Sequence, residues 1–221
     1  YEHFMLKEIY EQPKTINDTI SPRIKDNDIV IEELNMSDEE IQEITKIHIV
    51  ACGSAYHTGV TAKYVIEGLA RIPVEVDVAS EFRYRDPILQ KGNMVIVISQ
   101  SGETADTLAA LRESKEKGFK VLGIVNVVGS SIAREADSVM YTWAGPEIAV
   151  ATTKAYSAQL TALYMLAMKF AKVRGTIDQE KFQSMLTDLR CLPDQIELLL
   201  GQKEKIQHFA NRYVGARDIF F

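Results

Sequence analysis

Between residues 46 and 142, short β-rich apolar segments alternate with helical stretches, and this rhythm limits the possible folds more than any other feature. Strands are expected at 46–52, 74–78, 94–99, 121–125 and 139–142. Helices are expected at 55–70, 104–117 and 132–136, with Gly53 breaking the first strand and Gly118 stopping the second helix. Strand–helix–strand crossovers make the sheet parallel. The segment Met94-Val95-Val97 with Ile96 and Ile98 is apolar throughout, which suits a strand covered on both faces. The expected architecture is α/β: a doubly wound, five-stranded parallel sheet of the flavodoxin-like kind, with helices flanking it at both ends of the chain. Such sheets take ligands at the carboxyl ends of their strands, near a topological switch point.

The flanks read differently. Residues 1–25 are helical in pattern, and Pro13 sits where a second helix can begin. Residues 25–35 read as a polar linker. Ser37 followed by Glu40 is a capping box. After the last strand, helices are expected at 153–174, 178–192 and 193–213, then a strand at 216–221. The organisation is thus a helical lead-in over 1–36, the main domain over 37–192, and an exit segment over 193–221 leading to a further domain. A chain opening on Tyr1 and closing on Ile219-Phe220-Phe221 reads as a piece of something longer.

The net charge of −6 argues against a nucleic-acid face, because phosphodiesters need clustered Lys and Arg. With 46% apolar and 25% charged residues the chain has enough apolar content for a sizeable core. The apolar stretch 160–171 falls short of the roughly 20 residues that span a bilayer, so it reads as a buried or interface helix. Neither Cys52 nor Cys191 sits in a metal-ligand spacing, and the same holds for His48 and His57. No metal or cofactor is expected. Two reduced cysteines and no signal peptide suggest a cytoplasmic protein.

Three loops fall where a site belongs. The first is Cys52-Gly53-Ser54-Ala55. The second is Ser99-Gln100-Ser101-Gly102-Glu103-Thr104, which places hydroxyls around a glycine and leads into a helix. A helix N-terminus leaves N–H groups free and carries partial positive charge, so a phosphate can bind there without Lys or Arg. The plainer reading is a βα turn with a Ser or Thr cap, but that explains one hydroxyl better than three. The third loop runs from Gly145 to Thr153. Glu147 and Lys154 there suit acid–base work, or else Glu147 orders the loop by accepting backbone N–H bonds.

Four runs together carry a resemblance: Ala51-Cys52-Gly53-Ser54-Ala55-Tyr56, Ala79-Ser80-Glu81-Phe82-Arg83-Tyr84, residues 99–108 (SQSGETADTL) and residues 145–156 (GPEIAVATTKAY). In this order they resemble the sugar isomerase (SIS) domain of the glutamine–fructose-6-phosphate aminotransferase family. The stretch Met5-Leu6-Lys7-Glu8-Ile9-Tyr10-Glu11-Gln12-Pro13 resembles the opening of that family's isomerase region. The resemblance implies the SIS fold and a hexose phosphate ligand: fructose 6-phosphate, glucose 6-phosphate or glucosamine 6-phosphate. It implies that Ser99, Gln100, Ser101 and Thr104 hold the phosphate. Ser54 contacts the ligand from the first loop, and Val150 (through its backbone) and Thr152 line the sugar side. Where the family has Thr-Ser, this chain has Ser54-Ala55, one hydroxyl fewer.

The resemblance also implies a glutaminase domain and a second SIS domain elsewhere in the full protein, and a homodimer. The family's proton-transferring groups lie in the second SIS domain, the tail or a neighbouring subunit. No catalytic residue is therefore expected within residues 1–221. The alternative is a stand-alone phosphosugar-binding regulatory SIS domain. A basic DNA-binding helix should then precede it, but residues 1–45 are acidic and offer none. A flavodoxin-like nucleotide binder should show a GxGxxG fingerprint or stacking aromatics beside the loops, and neither is present.

Overall fold

The computed structural model describes residues 1–219. The lead-in contains α1 (Phe4–Tyr10) and α2 (Gln12–Ile20), which meet at Glu11 with Pro13 in the first turn of α2. Residues expected as a polar linker instead form a small antiparallel hairpin, β1 (Ile24–Lys25) and β2 (Asp28–Ile29), and then a 3₁₀ turn, Glu32–Leu34. The charged letters there hide a buried set: Ile29, Ile31 and Leu34 all join the core. The capping box is present. Ser37 accepts from the Glu40 N–H, and the Glu40 carboxylate accepts from the Ser37 N–H, starting α3 (Asp38–Gln42).

The α/β unit follows as β3 (Lys46–Ala51), α4 (Gly53–Ala70), β4 (Val74–Val78), α5 (Ala79–Arg85), β5 (Asn93–Ser99), α6 (Ala105–Glu116), β6 (Lys120–Val125), α7 (Ser131–Glu135) and β7 (Ser138–Tyr141). The five strands form one parallel sheet in the order β4-β3-β5-β6-β7. The α5 helix leaves little signal in the sequence, because an element this short and polar buries only Ala79 and Phe82.

The sheet is covered on both faces. On β5, Met94, Ile96 and Ile98 enter one apolar cluster with α4 and the later helices, while Val95 and Val97 enter the other with α5 and α6. Each such side chain contributes about 1.5–3 kcal/mol relative to exposure. Three helices close the fold: α8 (Lys154–Val173), α9 (Gln179–Leu200) and α10 (Lys203–Arg212). Most of α8 is buried, in line with its reading as a buried or interface helix.

Two expectations at the end of the chain fail. Pro193 does not start a helix: α9 runs through it and stops before Gly201. Leu192 and Ile196 pack on the core on either side, which outweighs the one lost hydrogen bond. Residues 216–219 are not a strand, since no neighbouring strand pairs with them among the described residues. Phe220 and Phe221, the rest of that expected strand, lie outside the described residues. Among the described residues, no helix is long and apolar enough to cross a membrane.

Candidate functional site

The strand order creates the crevice. From β3 the chain crosses outward to β4, and from β5 it crosses the other way to β6. The helices leaving these adjacent strands, α4 and α6, therefore pack on opposite faces of the sheet. Their opening loops part at the carboxyl edge, where an open α/β sheet binds its ligand. The loop at 52–55 and the loop at 99–104 flank this gap.

The second loop is ordered from within. Ser99 ends β5 with only 3% of its surface exposed. Its Oγ accepts from the Gly102 N–H at 3.0 Å and pairs with Thr104 Oγ1 at 3.0 Å. Ser101 Oγ accepts from the Glu103 N–H at 3.2 Å. Gly102 has a φ of +68°, a conformation that costs little only for glycine. Thr104 stands at the N-cap of α6, yet its side chain makes no cap bond to the helix. Thr104 is therefore an N-cap by position only. Ser99 shapes it, while Gln100, Ser101 and Thr104 are half-buried at its surface.

The loop is also fastened from outside, by residues that sequence analysis missed. The Asn126 N–H donates to Gln100 O, and the Ile132 N–H donates to Gly102 O. Glu103 accepts from the Ser131 N–H at 2.8 Å, and the bonds from Ser131 hold its carboxyl below the usual range. Asn126 is a hub: its Oδ1 accepts from the Ala144 N–H and from Thr142 Oγ1, and its Nδ2 donates to Gly145 O. The available signal was positional, since Asn126 directly follows β6 at the carboxyl edge. Gln100, Asn126, Val127, Trp143, Gly145 and Glu147 line a cavity of about 490 Å³ at this edge. A second cavity of about 360 Å³ lies between α4, α8 and α9 and is apolar, lined in part by Leu69, Met168 and Leu189. It offers little to an anion.

In the third loop Glu147 plays the ordering part of its two readings. It accepts from Thr152 Oγ1 at 2.9 Å, the Thr153 N–H at 3.0 Å and the Ala155 N–H at 3.2 Å. It thereby caps α8, whose N-cap residue Thr153 supplies no side-chain cap. The Thr152 hydroxyl gives its proton to Glu147, which leaves its lone pairs for other donors. Val150 is fully exposed beside it.

The lead-in helices brace the same loop. Glu8, only 2% exposed, accepts from the Ile148 and Ala149 N–H groups. Buried Lys154 donates to Glu11 at 2.6 Å, and Ser157 donates to Gln12 at 2.6 Å. The Lys154 hydrogen bond lowers the Glu11 carboxyl's pKa against the opposing effect of burial. In the first loop Gly53 has a φ of +58° and opens α4, leaving Ser54 exposed in the first turn. Replacing Glu147 by Gln keeps the size but removes the charge. The chain should lose about 1.5–3 kcal/mol, the range for a hydrogen bond to a charged group, as a lower urea midpoint. An unchanged midpoint would mean that the cap contributes nothing.

Comparison with known proteins agrees with this geometry. The family model described as SIS domain matches residues 40–169. Over 222 aligned positions the chain is 58% identical to a glutamine–fructose-6-phosphate aminotransferase (isomerizing) of Caldanaerobacter subterraneus subsp. tengcongensis. It is 56% identical to the enzyme of the same name from Clostridium acetobutylicum. Each alignment takes in all of this chain and 36% of the relative, so the chain spans little more than a third of their length. Among solved structures, the C-terminal domain of glucosamine-fructose-6-phosphate aminotransferase from Francisella tularensis superposes with a TM-score of 0.90 at 39% identity. That match covers 96% of this chain and 60% of the other. A parallel sheet split at β3 and β5, the hydroxyl-lined turn at its carboxyl edge and the match over residues 40–169 together place this chain in the SIS-domain family.

Proposed function

We propose that this chain is the sugar-phosphate-binding part of the isomerase portion of a glutamine–fructose-6-phosphate aminotransferase, an enzyme making glucosamine 6-phosphate from fructose 6-phosphate and glutamine. The observation that carries this reading is the 99–104 turn. It sets the Ser101 and Thr104 hydroxyls and the α6 N-terminus around Gly102, beside the switch point of the sheet. In this reading Gln100, Ser101 and Thr104 hold the phosphate, and Ser99 keeps the loop in shape. Ser54 reaches the ligand from the facing loop. Val150 and Thr152 border the sugar, held in place by Glu147 and Glu8.

The chain's part in the reaction is then positioning. Anchoring the phosphate fixes where C1 and C2 of the opened ketose lie, which lowers the entropic cost of the amination and proton transfer that follow. Those steps are assigned to groups outside these residues. The remaining length of the relatives is assigned to a glutaminase domain and a second SIS domain, in a cytoplasmic homodimer. This chain alone is expected to bind hexose phosphate with little or no turnover.

Calorimetric titration with fructose 6-phosphate and glucosamine 6-phosphate tests the reading. Ser101→Ala and Thr104→Ala should each weaken binding by about 1.5–3 kcal/mol, the contribution of a hydrogen bond to a charged group. Unchanged affinity in both variants would move the phosphate away from this loop. Brisk isomerisation of fructose 6-phosphate by the chain alone would refute the positioning role.

A further inference from the structure

A buried histidine outside the site lacks a partner on one side. His48 on β3 is 1% exposed and lies opposite Glu75 on the edge strand β4. Asp77, two residues further along β4, shares the face of Glu75. Ligand atoms of His48, Glu75 and Asp77 all lie within 4.8 Å of one another. Sequence spacing hid this cluster, because parallel strands bring together residues far apart in the chain.

The hydrogen bonds around the ring set its tautomer. The Asn93 amide is oriented by two neighbours: its Oδ1 accepts from the Gln90 N–H at 3.0 Å, and its Nδ2 donates to Thr45 Oγ1 at 3.2 Å. His48 Nε2 lies 3.3 Å from that same Oδ1. Two acceptors cannot bond, so Nε2 carries the proton. The lone pair of neutral His48 is therefore on Nδ1. This atom is buried, has no hydrogen-bond partner among the described residues and lies 3.9 Å from Glu75 Oε2. A bare nitrogen lone pair facing a carboxylate oxygen is two acceptors with no donor between them.

We propose that His48 Nδ1, Glu75 and Asp77 form a site for a divalent transition metal of the zinc type. One imidazole and two carboxylates suit such an ion, with water completing the shell. Asn93 supplies the outer contact that orients a ligating histidine. In the metal-free chain, Lys46 and Arg85 neutralise Glu75, and Arg85 also pairs with Asp77. Both cations are long side chains about one-third exposed, and ion pairs of this kind open at little cost. Rotation of the two carboxylates toward Nδ1 brings the donors to bonding distance. The bound ion ties the edge strand β4 to β3, away from the loops at the carboxyl edge.

The test is titration of the metal-stripped chain with Zn²⁺ by calorimetry, with ¹⁵N resonances of the histidine rings read in parallel. Saturable binding of one ion is expected, with the His48 Nδ1 resonance shifting while Nε2 keeps its proton. His48→Gln and Asp77→Asn should each weaken binding at least about tenfold, with circular dichroism confirming the fold. Arg85→Gln should tighten it, because a competing cation is removed. Absence of saturable binding, or affinity unchanged by both His48→Gln and Asp77→Asn, would overturn the site. Sugar-phosphate affinity should not change with Zn²⁺, since the site does not touch the 99–104 loop.

Discussion

Replacing Gly102 by Ala should destabilise the chain by about 2–5 kcal/mol and also weaken the hexose phosphate binding proposed above. Two separate costs add. An L-residue at a φ of +68° pays roughly 1–2 kcal/mol in backbone strain. A Cβ at this position would also lie 2.5 Å from Ser130 Cβ and closer still to its Oγ. Forcing a methyl into such a contact typically costs about 1–3 kcal/mol more. Ser130 cannot easily retreat, because it enters α7 and its neighbour Ser131 is bonded to Glu103.

The two costs can be separated. Adding Ser130→Gly to Gly102→Ala removes both clashing atoms and leaves only the strain. Urea midpoints should show the double variant recovering the packing part, with a coupling of about 1–3 kcal/mol. Ser130→Gly alone should be mild, since the Ser130 hydroxyl has no partner to lose among the described residues. A loss below about 0.5 kcal/mol for Gly102→Ala, the scale of an ordinary surface change, would show that the turn is not held as described.

What could be read beforehand follows from where the energy lies. The strands alternate with helices, so their number and parallel sense were visible in the letters, and the apolar run of β5 marked it as a strand covered on both faces. The capping box and the helix opened by Pro13 are local signals and appeared as expected. Residues 25–35 misled because three buried apolar side chains are scattered among charged ones that face water. Pro193 misled for the opposite reason: a strong local breaker was overruled by packing on either side of it.

The same division runs through the site. Local motifs marked the loops at 52–55, 99–104 and 145–153, and the strand order sets all three at one edge. Glu8, Asn126 and Ser130 escaped notice because each acts on a loop far from it in sequence. Their roles are to hydrogen-bond the loop backbone or to pack against it, and neither leaves a local pattern. Glu147 was seen but its use was ambiguous, since a carboxylate near a ligand loop fits chemistry and scaffolding equally well. Only the three bonds to residues 152, 153 and 155 decide it.

Arg23→Ala should cost about 3–5 kcal/mol, the range for removing one partner from a buried ionic network. The Arg23 side chain is 1% exposed and donates to Thr19 O at 2.8 Å, Tyr141 O at 2.8 Å and Glu33 Oε1 at 2.7 Å. Truncation leaves two carbonyls and a carboxylate without their donor and opens a cavity among them. Glu33 is about one-third exposed and can recover some hydration, which favours the lower end of the range.

Arg23→Lys should rescue little. A single ammonium cannot serve three acceptors spread across the planar fork of a guanidinium. The consequence should extend beyond stability. Arg23 and Thr19 fasten α2 to the end of β7, at Tyr141 O and Thr142 O. From there Thr142, Ala144 and Gly145 connect through Asn126 to the Gln100 loop. Amide hydrogen exchange in Arg23→Ala should therefore quicken at residues 142–149 as well as in the lead-in helices. Faster exchange confined to residues 1–36 would show that the lead-in packs on the domain without bracing its ligand edge.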